Sequence, residues 1–294
     1  MSDTKLSDVA NQVKKYWGAM FMDELKEDTL LPSLVNKDYQ GDIKNGGDTV
    51  YVSQINRPNA ERKTVGSGAE SFSSQLMSTS RVAIQANQRI TASFEMEDLV
   101  QLQSQIGEND STIRQALLDS VEIELNNYLY SLVSPSTSSP DHVLNSVTDM
   151  NKAQVIALRN LASTAKWKRD DWWLLLDPTY MGEILADTTL TSSDYVGGDA
   201  PIVAGQVASK RLGFNILEDN SAGILQLSPA SIGVSCGLGF HKDFLHLVMQ
   251  RQPTFQLSSL HANNKHGFLL SVDILVGAGL GVDGSSKRIQ IYDS

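Results

Sequence analysis

LVNKDYQGDIKNGGDTVYVSQI, residues 34–55, decides the reading of this chain. It opens with a polar turn unit, Asn36 to Asp42, and passes through the pair Gly46-Gly47. It then alternates Val50, Val52 and Gln54 with Tyr51, Ser53 and Ile55. Asn45-Gly46-Gly47-Asp48 has the composition of a tight turn, because glycine enters positive φ without steric cost. The turn launches an extended, half-exposed strand.

On the N-terminal side, residues 1–32 read as an arm. Trp17, Met20, Phe21 and Leu25 recur at helical spacing and put an apolar stripe on one face, and Pro32 closes the segment. Such a helix either docks on its own domain or lies on a neighbouring subunit. On the C-terminal side, the strand Thr49–Ile55 is answered by Arg81–Ala86 and then Thr91–Met96, each alternating in polarity. Between them Arg57 to Ser80 is rich in serine, glycine and charge. A loop of that length in a compact domain usually has a task. The flanking strands predict a long hairpin standing off the body. A two-stranded ribbon is marginal alone, so its packing partner is expected in another chain.

Ile113, Leu117, Val121, Leu125, Tyr128 and Leu132 predict a helix over 110–133, with Asp110 or Ser111 able to cap it. SPSTSSP, residues 134–140, breaks that helix and marks a domain boundary. Beyond it come a helix over Asn151–Ala165 capped by Asp149, an apolar strand Trp172–Leu176 and a helix Pro178–Leu185. A polar loop Asp187–Ala200 and a turn-and-strand Ile202–Ile216 follow. That order describes a compact α/β unit. Residues 235–294 read as mainly β, with strands Phe244–Arg251, Thr254–Leu257, Gly267–Val276 and Arg288–Tyr292. The helix 110–133 is expected to pack on this sheet.

The 294 residues suffice for a sizeable core without staples. The 24 Lys and Arg against 34 Asp and Glu give a net charge of −10, which argues against nucleic-acid binding through a broad basic face. Gly267 to Val282, the most apolar stretch, contains Asp273 and is shorter than the roughly 20 residues of a spanning helix. Residues 1–10 are polar and lack the apolar core of a signal peptide. Cys236 stands alone, so neither an internal disulfide nor a cysteine metal cluster is expected. A soluble, cytosolic protein with no membrane association follows.

The chemistry-bearing residue types do not converge. Gly277-Ala278-Gly279-Leu280-Gly281 follows an apolar strand, but a dinucleotide loop needs a helix next, and Asp283-Gly284-Ser285-Ser286 follows instead; the glycines read as a turn. His241, Asp243 and His246 are spaced to face different directions on either a helix or a strand, and read as structural. His261 and His266 flank a solvated turn. Trp172 and Trp173 point to opposite faces of their strand, one into the core and one to a surface or interface. No catalytic residue, cofactor site or metal site is nominated, and no enzyme activity is expected.

The residues of 34–55 resemble the coat-protein passage of tailed bacteriophages that leads from the N-terminal arm into a long hairpin. Ser93-Phe94-Glu95-Met96-Glu97-Asp98 resembles the passage between that hairpin and the long helix. WWLLLDPTYMGEILAD, GQVASKRLGFNILEDNS and GFHKDFLHLVMQRQP are similar to three further passages of the same family, in the same order. Each pattern is loose; five in register are specific.

The resemblance implies the Hong Kong 97-type major capsid fold, of α+β class. It divides the chain into an N-terminal arm (1–47), an extended hairpin loop (48–97) and a peripheral domain with the long helix (98–139). An axial α/β domain (140–234) and peripheral return strands (235–294) complete it. It implies hexamers and pentamers tiling an icosahedral phage head around double-stranded DNA, without sequence-specific DNA binding. The head would be assembled in the host cytoplasm. A separate scaffolding protein, a portal and a possible cement protein are the expected partners. Trp17, Phe21, Arg57, Arg62, Lys63 and Phe72 are the candidate inter-subunit contacts. Lysine–asparagine cross-linking, known in one branch, would leave Lys63 as the candidate by location. Two other readings are weighed: an encapsulin-like compartment of the same fold, and an unrelated enzyme or binding module.

Overall fold

A computed structural model of the chain describes residues 26–39, 48–65, 74–97, 111–191, 212–228, 235–263 and 266–293. In chain order the elements are helix α1 (Leu31–Leu34), strands β1 (Thr49–Ile55), β2 (Thr79–Gln85) and β3 (Gln88–Glu97), and the long helix α2 (Ser111–Val133). Then follow β4 (His142–Leu144), α3 (Lys152–Thr164), β5 (Trp172–Leu176), α4 (Pro178–Ala186) and β6 (Asn215–Glu218). The chain finishes with β7 (Cys236–His241), β8 (Leu245–Ser259), β9 (Gly267–Leu280) and β10 (Arg288–Tyr292).

Among the described residues the strands form a ribbon β1-β2, a mixed sheet β4-β10-β7-β5-β6 and an antiparallel sheet β3-β9-β8. The mixed sheet is covered on both faces, which is why Trp172–Leu176 is a continuous apolar run rather than an alternating one. Leu174 and Leu176 pack with Val155 and Leu158 of α3 and Tyr180 and Ile184 of α4. Leu175 turns the other way, into a core with Val121, Leu125, Leu129 and Tyr130 of α2. Trp172 is buried against Trp167 and Phe214. Of the pair, one was expected at a surface or interface; Trp173, on the face opposite Trp172, is instead half-buried against the α2-side core of its own chain.

Helix α3 begins one residue later than expected and is capped by Asn151, whose side chain accepts from Ala153 N and Gln154 N. Asp149 lies too far ahead of the first turn to reach those N–H groups. Helix α4 carries Pro178 in its first turn and is capped by Asp177. Strand β7, absent from the sequence reading, is the middle strand of the mixed sheet. Its glycines hide it: a Cβ at Gly237 would stand 2.7 Å from Leu176 Cδ2, so neighbouring side chains fill the space that its own would have taken. With β10, it brings strands from beyond residue 235 into the sheet begun by β4, β5 and β6.

Helix α2 lies across β3-β9-β8, as its apolar spacing requires. Leu270, Val272, Ile274 and Val276 of β9 meet its Leu117, Val121, Leu125 and Leu129. Two expectations fail on this sheet. Phe244–Arg251 and Thr254–Leu257 are one strand, β8, whose ladder shifts between Met249 and Arg251 and between Arg251 and Thr254. β8 is an edge strand, where Pro253 can be accommodated beside such irregularities. Gly277, Ala278 and Gly279 are not a turn; β9 runs through them to Leu280, and the turn comes after it.

The ribbon pairs Thr49 with Gln85 through to Ile55 with Thr79. Its foot packs on its own chain, where Val50, Val52, Ile84 and Ala86 cluster with Val248 of β8 and the partly buried Tyr39. The sequence reading, which looked for the partner in another chain, is corrected at this end of the hairpin. From Ser53 outward β1 is exposed.

Candidate functional site

Lacking a convergent catalytic set, the described residues concentrate unusual surface in the hairpin. Beyond the paired strands, Asn56 N donates to Ser78 O at 3.0 Å and Asn59 N to Gln75 Oε1 at 2.9 Å, so the two legs stay together past the ladder. Apolar side chains project from this stalk: Val65 is 92% exposed, Leu76 97%, Met77 77% and Ile55 66%. Tyr51 is exposed too, with the Arg81 guanidinium 5.0 Å above its ring. Apolar side chains left in solvent on a projecting segment make it the candidate contact surface.

The candidate residues Arg57, Arg62 and Lys63 lie together on this projecting segment, all exposed. Lys63 Nζ stands 3.3 Å from Glu61 Oε2. Trp17, Phe21 and Phe72 fall outside the described residues. Tyr51, Ile55, Leu76 and Met77 were not among the candidates. The alternation of β1 was the signal for the first two, since Val50 and Val52 on the opposite face leave Tyr51, Ser53 and Ile55 outside.

At the hairpin's foot the NKDY segment explains itself. Asn36 N donates to Leu245 O at 3.1 Å and Leu247 N donates to Asn36 O at 2.9 Å, so the segment adds a one-residue parallel bridge to β8 beside His246. The Asn36 side chain donates to Asp243 Oδ1 at 2.8 Å and accepts from Asp38 N at 2.8 Å. Tyr39 meets the His246 ring edge-on, 5.4 Å between centroids. Together with Val52, Ser53 and Gln54 of β1 and with Val282 and Lys287, these residues line a polar crevice of about 330 Å³.

Asp243 stands between two buried histidines, with His241 Nδ1 3.7 Å from its Oδ2. Burial holds both imidazoles below the usual histidine range, against the pull of the Asp243 charge, and Lys287 adds to the depression. Burial alone would raise the Asp243 carboxyl. The Asn36 amide, His241, Lys287 and His246 outweigh it and hold the group low. No group of three histidine, cysteine or acidic residues suited to a metal occurs among the described residues. Cys236 is buried, its thiol pushed up to about 12 by burial and by Asp177 and Asp219, which leaves it unreactive.

The arm's described end docks on its own body. Lys26 Nζ reaches Asp119 and Glu122 of α2 at 2.7 and 2.6 Å. Asp28 N donates to Asn220 Oδ1 at 2.7 Å, and Leu31 and Val35 are buried in the α2-side core. At the other end of α2, the fully buried Arg288 donates to Val133 O at 2.7 Å and to Ser138 O at 2.6 Å. It thereby caps the helix and pins the 134–140 break. No helix among the described residues is long and apolar enough to cross a membrane.

No protein-family model and no curated protein sequence matches the chain. Solved structures do match it, nearly end to end. A structure from Mycobacterium phage Che8 superposes at TM-score 0.77 and 15% identity, over 95% of this chain and 96% of that one. The capsid asymmetric unit of cyanophage Pam1 gives 0.76 at 11% identity, over 100% and 99%. The capsid structure of cyanophage P-SCSP1u gives 0.74 at 13% identity, over 97% and 94%. At such identities the likeness speaks for the fold: this chain has the α+β, Hong Kong 97-type fold of tailed-phage capsid structures.

Proposed function

We propose that this chain is the major capsid protein of a tailed bacteriophage, self-assembling into hexamers and pentamers of an icosahedral head that encloses double-stranded DNA. The observation that carries the proposal is the nearly end-to-end likeness to phage capsid structures. Assembly is the whole of the activity; no catalytic step and no cofactor enters it.

The division of labour would be an arm (1–47), a hairpin (within 48–97, whose β3 joins the β8-β9 sheet), a peripheral part built on 98–139 with β8 and β9, and an axial unit of 140–234 that β7 and β10, expected among the peripheral strands of 235–294, complete instead. The exposed Ile55, Val65, Leu76 and Met77 gain burial only against another copy, and obligate contacts of this kind bury ~2,000–5,000 Å². Arg57, Arg62 and Lys63 would flank that contact, and Trp17, Phe21 and Phe72 would add apolar area from the arm and the hairpin tip. The net charge of −10 suits an inner wall that does not hold the genome, because phosphate binding scales with the number of basic contacts. A separate scaffolding protein, a portal and a cement protein are the partners this role calls for. Assembly takes place in the host cytoplasm.

Sedimentation velocity of the purified protein, with and without its co-expressed scaffolding partner, tests the proposal. Capsomers or closed shells are expected; a chain that remains monomeric under both conditions at high concentration overturns it.

A further inference from the structure

Gly277 and Gly279 lie where the foot of the hairpin crosses β9. A Cβ at Gly277 would stand 2.3 Å from the Gln85 carbonyl oxygen, 2.7 Å from its carbon and 2.8 Å from Ala86 Cα. All three are backbone atoms, so no change of rotamer relieves the overlap. Gly277 does not have a positive φ, so the position demands space rather than glycine's conformational freedom. At Gly279 a Cβ would meet only Ile84 Cγ1, at 3.4 Å, which is ordinary contact.

The hairpin is fixed to this seat from both legs. Ala86 N donates to Asp48 O at 2.8 Å, which ties the two legs together at the foot. Val50, Val52, Ile84 and Ala86 close around the fully buried Val248. The seven residues of β1, at about 3.3 Å each, then form a lever of roughly 23 Å. An overlap of about 1 Å at the root becomes a displacement of several ångström at the tip.

We infer that Gly277 is the seat that sets the angle of the hairpin to the body, and through it the geometry of packing between subunits. The inference rests on the capsid reading for its second half only; the first half is a property of the single chain.

The test reads electron–electron distances in the unassembled protein from spin labels on cysteines introduced by Leu76→Cys and Ile156→Cys, and reads particle images on the same glycine or Ile84 variants without the two introduced cysteines. Both positions are exposed, whereas the native Cys236 is fully buried and stays unlabelled. Gly277→Ala is expected to move the mean distance by several ångström and to abolish shells or change their diameter. Gly279→Ala is expected to leave both as they are. Should Gly277→Ala fail to fold, Ile84→Ala loosens the same seat without a clash and is expected to broaden the distances and give heterogeneous shells. Unchanged distances in the folded Gly277→Ala variant, or in Ile84→Ala if that is the one studied, overturn the inference. Shifted distances with unchanged shells overturn its second half. If the unsubstituted protein makes no shells, the capsid reading fails while the distance result still decides the first half.

Discussion

Tyr130 donates its hydroxyl to Asp219 across 2.5 Å, and this buried hydrogen bond ties the long helix α2 to the loop after β6. Burial first, then the neighbouring Asp219 charge, pushes the phenol well above its usual range, so it stays a donor. The other carboxylate oxygen accepts from Ser221 N at 2.8 Å. Gly223 lets the ring approach, since a Cβ there would lie 2.5 Å from Tyr130 Cδ2.

Tyr130→Phe leaves a fully buried carboxylate oxygen without its donor, and the expected cost is about 1–3 kcal/mol. Asp219→Asn has one acceptor oxygen for these two donors, but its amide can donate to the Tyr130 oxygen in exchange, so it should cost less. Denaturant unfolding of the unassembled protein checks the order; equal stability of Tyr130→Phe and wild type would show that the bond carries no net energy.

Arg288 makes a second such tie. Burial first pulls its guanidinium down to about 10, against the opposing Asp141 charge, so it remains protonated at neutral pH. Arg288→Met strands the Val133 and Ser138 carbonyls and should cost about 3 kcal/mol. Arg288→Lys should recover only part of this, because one ammonium cannot reproduce the planar fork. Full rescue by lysine in the same unfolding experiment would contradict the capping role.

Acid should loosen the foot of the hairpin before it touches the carboxylates. His246 is held neutral by burial, so its folded pKa lies below the unfolded 6.5. The unfolded chain then takes up the proton first, and stability is full above 6.5 and falls as pH drops from there towards the folded value. Asp243 acts in a separate window below 3.8, because its folded pKa is lowered. The protection factors of the Asn36 and Leu247 amides, both bonded across this junction, should therefore fall between pH 7 and 5.5. His246→Gln should flatten that slope, and an unchanged slope would assign it elsewhere.

The hairpin beyond its foot should matter for assembly and not for folding. Replacing 57–77 by a glycine-containing turn closes a shorter loop, at little cost in chain entropy. The milder pair Leu76→Ser and Met77→Ser should change stability by no more than about 0.5 kcal/mol. Both variants should accumulate as capsomers or monomers. Normal yields of closed shells would remove the hairpin from the assembly contacts, and a collapse in thermal stability would place it in the core.

Much of this fold was legible because burial is periodic. The spacing of Leu117, Val121 and Leu125 announced α2 and the face it lays on β9, and the apolar run Trp172–Leu176 announced a strand, though not that both its faces are buried. What stayed hidden were strands in which glycine replaces the pattern. CGLGFH of β7 and Gly277-Ala278-Gly279 of β9 look like breaks, yet their missing side chains are room for Leu176 and for the Gln85 backbone. Pro253 cut β8 in two on paper because its edge position could not be known. At the candidate site, the charged Arg57, Arg62 and Lys63 could be placed on a projection from composition alone. The purpose of Asn36, Asp38 and Tyr39 could not, since their partners at Asp243 and His246 lie some two hundred residues away.

The central claim is that the chain builds a shell through its hairpin. Cryo-electron microscopy of the protein purified with its scaffolding partner tests that most directly. The account predicts closed icosahedral particles in which density for Val65, Leu76 and Met77 lies against the adjacent subunit. Monomers alone, or particles whose hairpins touch no neighbour, would contradict it.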